Sequence, residues 1–297
     1  MAAFGDLVEL VRAPAALSVP GDALAGAAAA GTLGARTAGL CAASVCLYWA
    51  GMAANDWADR EIDAKERPER PIPSGRVPPG TAFGLAAGLT AAGVALAGLV
   101  GGRLALGVAA PLAGAVWWYD TVAKQTAAGP SAMAACRGLD VLLGAGVGRL
   151  RRAAVPALVV AAHTYTVATL SRWEVDGADP PVPAATLAGT AAVAIAALRR
   201  RDSQQGRRDL QRGRRDRQRV LAGGLAGWYA RDYGTAQARA VAEPSAGNIR
   251  SAVGAGITGL PALQGALIAR AGAPVTAVTV AAAAPVGRRL ARRLSPT

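Results

Sequence analysis

Charged and apolar residues are separated along this chain so strongly that few folds remain open to it. The 297 residues include 32 Lys and Arg and 19 Asp and Glu, and most of these are crowded into a few stretches. Several of the segments between them approach the roughly 17–25 apolar residues that a membrane-spanning helix needs. The sequence therefore predicts an all-α fold, a single polytopic membrane bundle over residues 1–297 with about nine transmembrane helices. The apolar runs lie at about 15–34, 38–54, 82–100, 104–119, 130–148, 153–170, 183–198, 251–270 and 273–287.

A soluble, Ala-rich helical bundle is the alternative fold. The hydrophobic fraction of 53% and the mean hydropathy of +0.29 are high for a soluble protein and low for a membrane protein. Helices of soluble bundles normally show a polar face with a period of 3.6 residues, whereas "GLAAGLTAAGVALAGLVGG" at 84–102 has no charged face. The membrane fold is favoured, and the abundant Gly and Ala then allow close packing of membrane helices.

Cysteine and histidine give no separate site. The cysteines lie in apolar runs without metal-ligand spacing and are interpreted as packing residues. His163 lies within an apolar run, where a polar contact between helices is as reasonable as a functional role. We do not assign His163 to a site. The cysteines are Cys41, Cys46 and Cys136.

Successive spanning helices alternate direction, so the loops 55–81, 120–129 and 171–182 are expected on one face of the membrane. Their Arg and Lys residues favour a cytoplasmic assignment for that face. The opposite face would hold Arg149, Arg151 and Arg152, as well as the run "RRRDSQQGRRDLQRGRRDRQR" at 199–219.

The run at 199–219 contributes much of the formal net charge of +13. It has no interleaved aromatic residues for base stacking and no surrounding nucleic-acid-binding fold, so no nucleic-acid partner is expected. We interpret it as a basic hydrophilic loop. The segment after it, 220–241, is either a tenth spanning helix or an interfacial helix, because Arg231 and Asp232 fall in its middle.

The stretch "NDWADREIDAKERPERPIPSGR" at 55–76 follows an apolar run directly. Helical spacing would place Asp56, Asp59 and Asp63 on one face, with Asn55 one turn before Asp59. Clustered carboxylate and amide oxygens suit Mg²⁺, which commonly links carboxylates to substrate phosphates, so a diphosphate is the expected partner. The alternative is an ordinary charged loop whose acids pair with its own cations, Arg60, Lys65 and Arg67.

Two stretches of this sequence resemble motifs of the UbiA superfamily of intramembrane prenyltransferases. "NDWADREID" with "RPIPSGR" is similar to that family's NDxxDxxxD signature and its trailing RPxPSGR segment, and "WYDTVAKQTAAGP" at 118–130 is similar to its Tyr-containing helix end and K-x-T-x-x-P loop. The opening "VRAPAALSVPGDALAG" also resembles family members. The resemblance covers about 8–198 and 250–294, with the basic run outside it.

The resemblance implies transfer of a prenyl group from a prenyl diphosphate donor to an aromatic or other small lipophilic acceptor within the bilayer, with Mg²⁺ as cofactor. It also implies an integral membrane protein of the bacterial plasma membrane with the active site facing the cytoplasm. The catalytic residues would be Asp56, Asp59 and Lys124. The substrate-binding residues would be Asn55, Arg70, Lys124, Arg137, Glu174 and Asp176. The metal ligands would be Asp56, Asp59, Asp63, Glu174 and Asp179.

The second acidic motif of the family, of DxxGD or DxxxD type, is altered here. The corresponding stretch is "SRWEVDGAD" at 171–179, in which Glu174 and Gly177 are in register but Ala178 occupies the last acidic position and Asp179 follows it. The altered motif therefore leaves the existence of a second metal site undecided. A membrane protein that binds or carries an isoprenoid precursor without turnover is the alternative function. Nearby aromatic residues line a cavity or anchor the protein at the interface: Tyr48, Trp49, Trp117, Trp118 and Tyr119.

Overall fold

The computed structural model describes residues 3–13, 19–199 and 210–294, and within those ranges all regular secondary structure is helical. The long helices pack side by side as one bundle, as the hydropathy pattern predicts. The helices are α1 (Phe4–Leu10), α2 (Pro20–Ala30), α3 (Ala35–Ala58), α4 (Arg60–Glu66), α5 (Pro79–Thr121), α6 (Gly129–Gly144), α7 (Leu150–Ser171), α8 (Pro181–Leu198), α9 (Leu210–Ala242), α10 (Ala246–Arg270) and α11 (Pro274–Leu294).

Five helices of the described residues, α3, α5, α7, α8 and α10, are long and apolar enough to cross a membrane. The other predicted runs are helical over the residues described, but α2 and α6 are shorter and α11 has only a short apolar part, Pro274–Pro285. The start of the first run, 15–18, lies outside the described residues. The membrane bundle is thus confirmed, whereas the number of nine spanning helices stays a prediction.

The helix α5 is a hairpin of two antiparallel segments. Gly102 at its middle has φ +68° and ψ −157°, a conformation that L side chains rarely adopt. The indole Nε1 of Trp117 donates to Thr90 Oγ1 at 2.9 Å across the hairpin. The two apolar runs predicted at 82–100 and 104–119 are therefore two helical segments joined by a turn.

Small residues bring α2 and α6 into backbone contact. A Cβ at Gly26 would stand 1.8 Å from the carbonyl oxygen of Val141, and one at Gly144 would stand 1.9 Å from that of Ala23. No side chain larger than hydrogen fits at either glycine. This is the close approach through which membrane helices gain van der Waals contact without a hydrophobic drive to associate.

The alternation of helix direction gives the bundle two ends. At one end the amide of Ala178 donates to the carbonyl of Pro244 at 3.0 Å, and at the other Arg270 Nη1 donates to the carbonyl of Arg199 at 2.7 Å. We call these the motif end and the far end. The motif end comprises residues 59–78, 122–128, 172–180 and 243–245, and the far end comprises 31–34, 102, 145–149, 199 and 271–273.

The segment 220–241 belongs to the long helix α9 and is part of the core. Its Tyr229 and Tyr233 are fully buried, and His163 Nδ1 lies 2.9 Å from the hydroxyl of Tyr229. An interfacial helix would leave such residues exposed on one face. Because α9 already begins at Leu210, the loop expected at 199–219 ends sooner than predicted, and residues 200–209 lie outside the described part.

Candidate active site

The first acidic motif is built around a break between two helices. The helix α3 ends at Ala58, and Asp59, with φ −86° and ψ 1°, joins it to the short α4. Asp56 and Asp63 contact one shared cation, whereas Asp59 contacts another. Backbone hydrogen bonds of the helical i→i−4 kind still run through the break, from Asp59 N to Asn55 O at 3.0 Å and from Asp63 N to Asp59 O at 2.8 Å. The expectation that the three aspartates share one helical face therefore stays a prediction.

Arg70 joins the two buried aspartates of the motif. Its Nη1 lies 2.6 Å from Asp63 Oδ2 and 3.4 Å from Asp56 Oδ1, and both carboxylates are almost fully buried. Two hydrophobic residues just after Arg70, Ile72 and Val77, are buried against the base of α3 and α5. They fold the Pro-rich segment back onto the helix end and thereby bring the guanidinium to the carboxylates.

Asp56 has a second cation, which sequence reasoning did not assign to the site. Arg12 Nη2 lies 2.8 Å from Asp56 Oδ1. Arg12 comes from the amino-terminal segment and is 44 residues away in sequence, so no local spacing links the two. The only signal was its place in the opening stretch that resembles the family.

The loop after α5 docks onto the same motif. Lys124 Nζ lies 2.7 Å from Asp59 Oδ2 as an ion pair, with only 12% and 21% of the two side chains exposed. Asn55 Nδ2 donates to Asp120 Oδ1 at 3.1 Å, and Asp120 is a further buried carboxylate that sequence reasoning quoted but did not single out. These two contacts bring the NDxxDxxxD motif and the "WYDTVAKQTAAGP" motif into one site.

The third loop is held at the motif end through backbone groups. The guanidinium of Arg172 donates to the carbonyl of Thr126, in the second loop. Arg250 Nη1 donates to the carbonyl of Glu174 at 2.7 Å, and Gly177, with φ +80°, packs against the carbonyl of Pro244. The prediction that the three loops share one end of the bundle is thus confirmed.

The acids of the third loop differ in their environment. Glu174 is half-buried, and burial raises the pKa of its carboxyl although nearby Arg250 lowers it. Asp176 and Asp179 are exposed. Of the second-motif candidates, only Glu174, the one in family register, is partly desolvated.

Arg137, a predicted diphosphate ligand, is engaged elsewhere in the bundle. Its Nη2 lies 2.9 Å from Asp22 Oδ2, and Gln264 Nε2 donates to the other oxygen of Asp22 at 2.7 Å. Nearby, Ser44 Oγ donates to Asp140 Oδ2 at 2.7 Å. This network ties α2, α3, α6 and α10 together, so Arg137 pairs with Asp22 and not with an aspartate of the first motif.

The oxygen groups of the first motif suit a hard cation. In the part of the chain that the structure describes, no three His, Cys, Asp or Glu side chains converge as a metal site. Asp56 and Asp63 nevertheless hold one positive charge, Arg70, between them. Mg²⁺ usually takes one or two carboxylates and completes its shell with water and substrate phosphates. Asp56 and Asp63 are therefore the residues that would hold a magnesium ion, which would supply positive charge at this site.

Aromatic residues form the apolar wall beside this cluster. The rings of Trp57 and Phe83 lie 5.0 Å apart, and those of Phe83 and Trp117 lie 5.8 Å apart. Trp49 packs in the same cluster, whereas Trp118 is 48% exposed. Trp49 and Trp117 thus pack within this hydrophobic cluster, whereas the exposure of Trp118 is typical of an interfacial anchor.

An apolar helical bundle with charged loops converging at one end defines an intramembrane protein with a polar site at the membrane boundary. The chain belongs to the UbiA prenyltransferase family, whose model matches residues 19–229. The match runs through 199–219. The expectation that the basic run lies outside the family pattern is therefore wrong.

Curated relatives share segments with this chain. It is 43% identical to digeranylgeranylglyceryl phosphate synthase of Methanopyrus kandleri over 26% of this chain and 28% of that protein. It is 34% identical to the bacteriochlorophyll synthase 33 kDa chain of Cereibacter sphaeroides over 32% of this chain and 33% of that protein. The chain therefore spans about a third or less of the length of these two relatives in its matches.

Solved structures share the fold over most of the chain. A structure of digeranylgeranylglyceryl phosphate synthase in membranes aligns with a TM-score of 0.65 and 16% identity over 91% of this chain and 98% of that one. The apo structure of a UbiA homolog from Aeropyrum pernix K1 aligns with a TM-score of 0.62 and 19% identity over 86% and 96%. At these identities the similarity establishes the UbiA fold.

Proposed function

We propose that this protein transfers a prenyl group from a prenyl diphosphate to a small lipophilic acceptor inside the membrane. The observation that carries the proposal is the ion pair between Asp59 and Lys124. It joins the two sequence motifs beside the Asp56–Arg70–Asp63 cluster, at the end of an apolar bundle. Family membership supports the same reaction.

The cations of this cluster suit a diphosphate. Arg12, Arg70 and Lys124 each contact a carboxylate of the motif, and an incoming diphosphate would offer them anionic oxygens in exchange. As the allylic C–O bond breaks, its electron pair goes to the leaving oxygen, and these positioned cations stabilise the charge that develops there. Magnesium, when bound by the carboxylates, supplies further charge neutralisation.

The aromatic wall suits the other half of the donor. An allylic cation formed by C–O cleavage must be kept from water until the acceptor captures it. Trp57, Phe83 and Trp117 provide apolar faces next to the charged cluster. The acceptor's nucleophilic atom forms the new bond to the allylic carbon and its proton is released. The two curated relatives are named for different lipid products, so the acceptor class stays broad.

Binding without turnover is a second candidate function. In the structure every aspartate of the first motif already contacts a protein cation, and two acids of the third loop are exposed. A protein that only holds or delivers a prenyl diphosphate would need the same cations without a complete metal set.

One experiment separates the two functions. Purified protein in detergent is incubated with radiolabelled geranylgeranyl diphosphate, Mg²⁺ and a panel of lipophilic acceptors. We expect release of pyrophosphate and a labelled lipid product, lost in Asp59→Asn and retained in Glu61→Gln, an exposed acid of the same stretch. Binding without release for every acceptor would favour the carrier, and absence of both would refute the diphosphate site.

We also propose that the motif end faces the cytoplasm. The support is the Arg and Lys content of the first loop, although the far end is basic as well. Single cysteines at Ala64, Asp176 and Arg103 can be introduced into a variant without native cysteines. Impermeant maleimide should label Ala64 and Asp176 only from the cytoplasmic side and Arg103 only from outside. Labelling of Ala64 and Asp176 from opposite sides would contradict the single site.

A further inference from the structure

A groove on the described surface runs between α7 and α8, from Thr169 and Pro181 at the motif end to Arg199 and Arg270 at the far end. It has a volume of about 1070 Å³, near the upper limit of ordinary small-molecule pockets. Its walls are mainly aliphatic, with Leu158 69% exposed along its edge. Because both helices are candidate membrane spans, the groove opens toward lipid hydrocarbon.

Of the four described hydroxyl-bearing side chains that line the groove, Thr166 and Thr186 are engaged with the protein, Tyr165 is 48% exposed, and Thr169 Oγ1 is buried without a hydrogen-bond partner. Thr166 Oγ1 donates to the carbonyl of His163 at 2.7 Å and lies 3.2 Å from the hydroxyl of Tyr233. Thr186 Oγ1 donates to the carbonyl of Pro183 at 3.0 Å. Because most of the other described lining residues are Val, Leu and Ala, the walls suit an aliphatic chain.

The far end of the groove is basic. Arg199 and Arg270 line it, and among the described residues the lining contains no acidic side chain. Arg270 Nη1 donates to the carbonyls of Ala196, Ala197 and Arg199 and so fixes the end of α8. Arg199 is exposed, and the sequence continues with further arginines into the basic run.

We propose that this groove binds an anionic phospholipid, with acyl chain along α7 and α8 and phosphate beside Arg199 and Arg270. Basic pockets between membrane helices bind anionic headgroups, and charge complementarity selects this occupant over a neutral lipid. A prenyl diphosphate in this groove would place its diphosphate at the motif end, because the cations of the first motif lie at the opposite end of α8 from Arg199.

The test uses the purified protein in mixed micelles with dioleoylphosphatidylglycerol or dioleoylphosphatidylcholine. Native mass spectrometry gives the bound lipid, and thermal unfolding gives its effect on stability. We expect phosphatidylglycerol to bind at least about tenfold more tightly and to raise the melting temperature by about 3–5 °C, with little change from phosphatidylcholine.

Two pairs of variants locate the site. Arg199→Gln should weaken phosphatidylglycerol binding about fivefold, whereas Arg103→Gln, an exposed arginine at the same end but outside the groove, should not. Ala192→Trp should block the groove and abolish binding. Its neighbour Ala191 is exposed but does not line the groove, so Ala191→Trp should bind normally.

Three results would overturn the proposal. Equal affinity for phosphatidylglycerol and phosphatidylcholine would contradict an anionic headgroup site beside Arg199 and Arg270. Equal losses in Ala191→Trp and Ala192→Trp, or in Arg103→Gln and Arg199→Gln, would show that the groove is not the binding place. Displacement of phosphatidylglycerol by geranylgeranyl diphosphate would assign the groove to the donor chain.

Discussion

The first and third loops of the motif end both carry acidic motifs, but the acidic side chains lie in different environments. In the first loop the side chains of Asp56, Asp59 and Asp63 are shielded and each contacts a cation. The third loop is fixed through its backbone, by Arg250 on the carbonyl of Glu174 and by the turn at Gly177, while Asp176 and Asp179 remain exposed.

The two loops are therefore expected to differ in how much their carboxylates contribute to activity and stability. A carboxylate removed from water needs an opposite charge, and loss of that partner leaves an uncompensated buried ion. An exposed carboxylate is solvated on its own and is worth little to stability. We therefore expect substitutions in the first loop to change activity and folding strongly, and those in the third loop to act mainly through Glu174.

The largest expected effect is that of Asp59→Asn on turnover. It removes the charge that contacts Lys124 at the junction of the two motifs, and we expect a loss of about a thousandfold or more. The ion pair also predicts a moderate fall in stability, because Lys124 loses its counter-charge while the amide keeps an acceptor oxygen.

Turnover at several Mg²⁺ concentrations and the melting temperature in detergent should be measured together for this variant. Glu61→Gln, on the exposed side of α4, is the matched control and should retain activity. Near-normal turnover of Asp59→Asn would disprove the role of the first motif.

Arg70→Gln should have the largest effect on stability. Arg70 is the shared partner of buried Asp56 and Asp63, and its loss should lower the free energy of unfolding by on the order of 3 kcal/mol. Denaturant titration in detergent measures this, with the exposed Arg67→Gln as control. Equal stability of the two variants would show that the ion-pair cluster contributes nothing to folding.

Within the third loop, Glu174→Gln should reduce turnover at least about tenfold more than Asp179→Asn. Glu174 is half-buried and in family register, whereas Asp179 is exposed and acts at a distance, so its own loss should be about tenfold. Rates at saturating donor decide the comparison. If Asp179 proves as essential as Asp59, the division between the two loops is wrong.

The smallest effect concerns Glu9, whose carboxylate contacts Arg76 at 2.7 Å on the outside of the site. This hydrogen bond lowers the pKa of Glu9 below its usual 4.5. The contact therefore stabilises the fold above about pH 4.5, and the stabilisation is lost as pH falls through the lowered pKa. Glu9→Gln should lower the melting temperature by no more than about 2 °C at pH 7 and by less at pH 3. An equal difference at both pH values would exclude ionisation as the cause.

Local patterns in the sequence were enough to predict the elements and the motif end. The run at 104–119 and its neighbour at 82–100 are helical because apolar segments in a membrane must satisfy their backbone hydrogen bonds internally. Alternating helix direction then placed the loops near Asp59, Lys124 and Glu174 at one end. Each of these inferences uses information within one segment or the order of segments along the chain.

The partners of each charge were decided only by the tertiary structure. Arg12 reaches Asp56 from 44 residues away, Arg137 binds Asp22 and not the first motif, and Asp59 pairs with Lys124 from the second loop. Burial of Tyr229 likewise showed α9 to be part of the core. The physical reason is that hydropathy and spacing act locally, whereas the choice of counter-ion depends on which helices pack together, and that is set by close contacts of small residues spread over the whole chain.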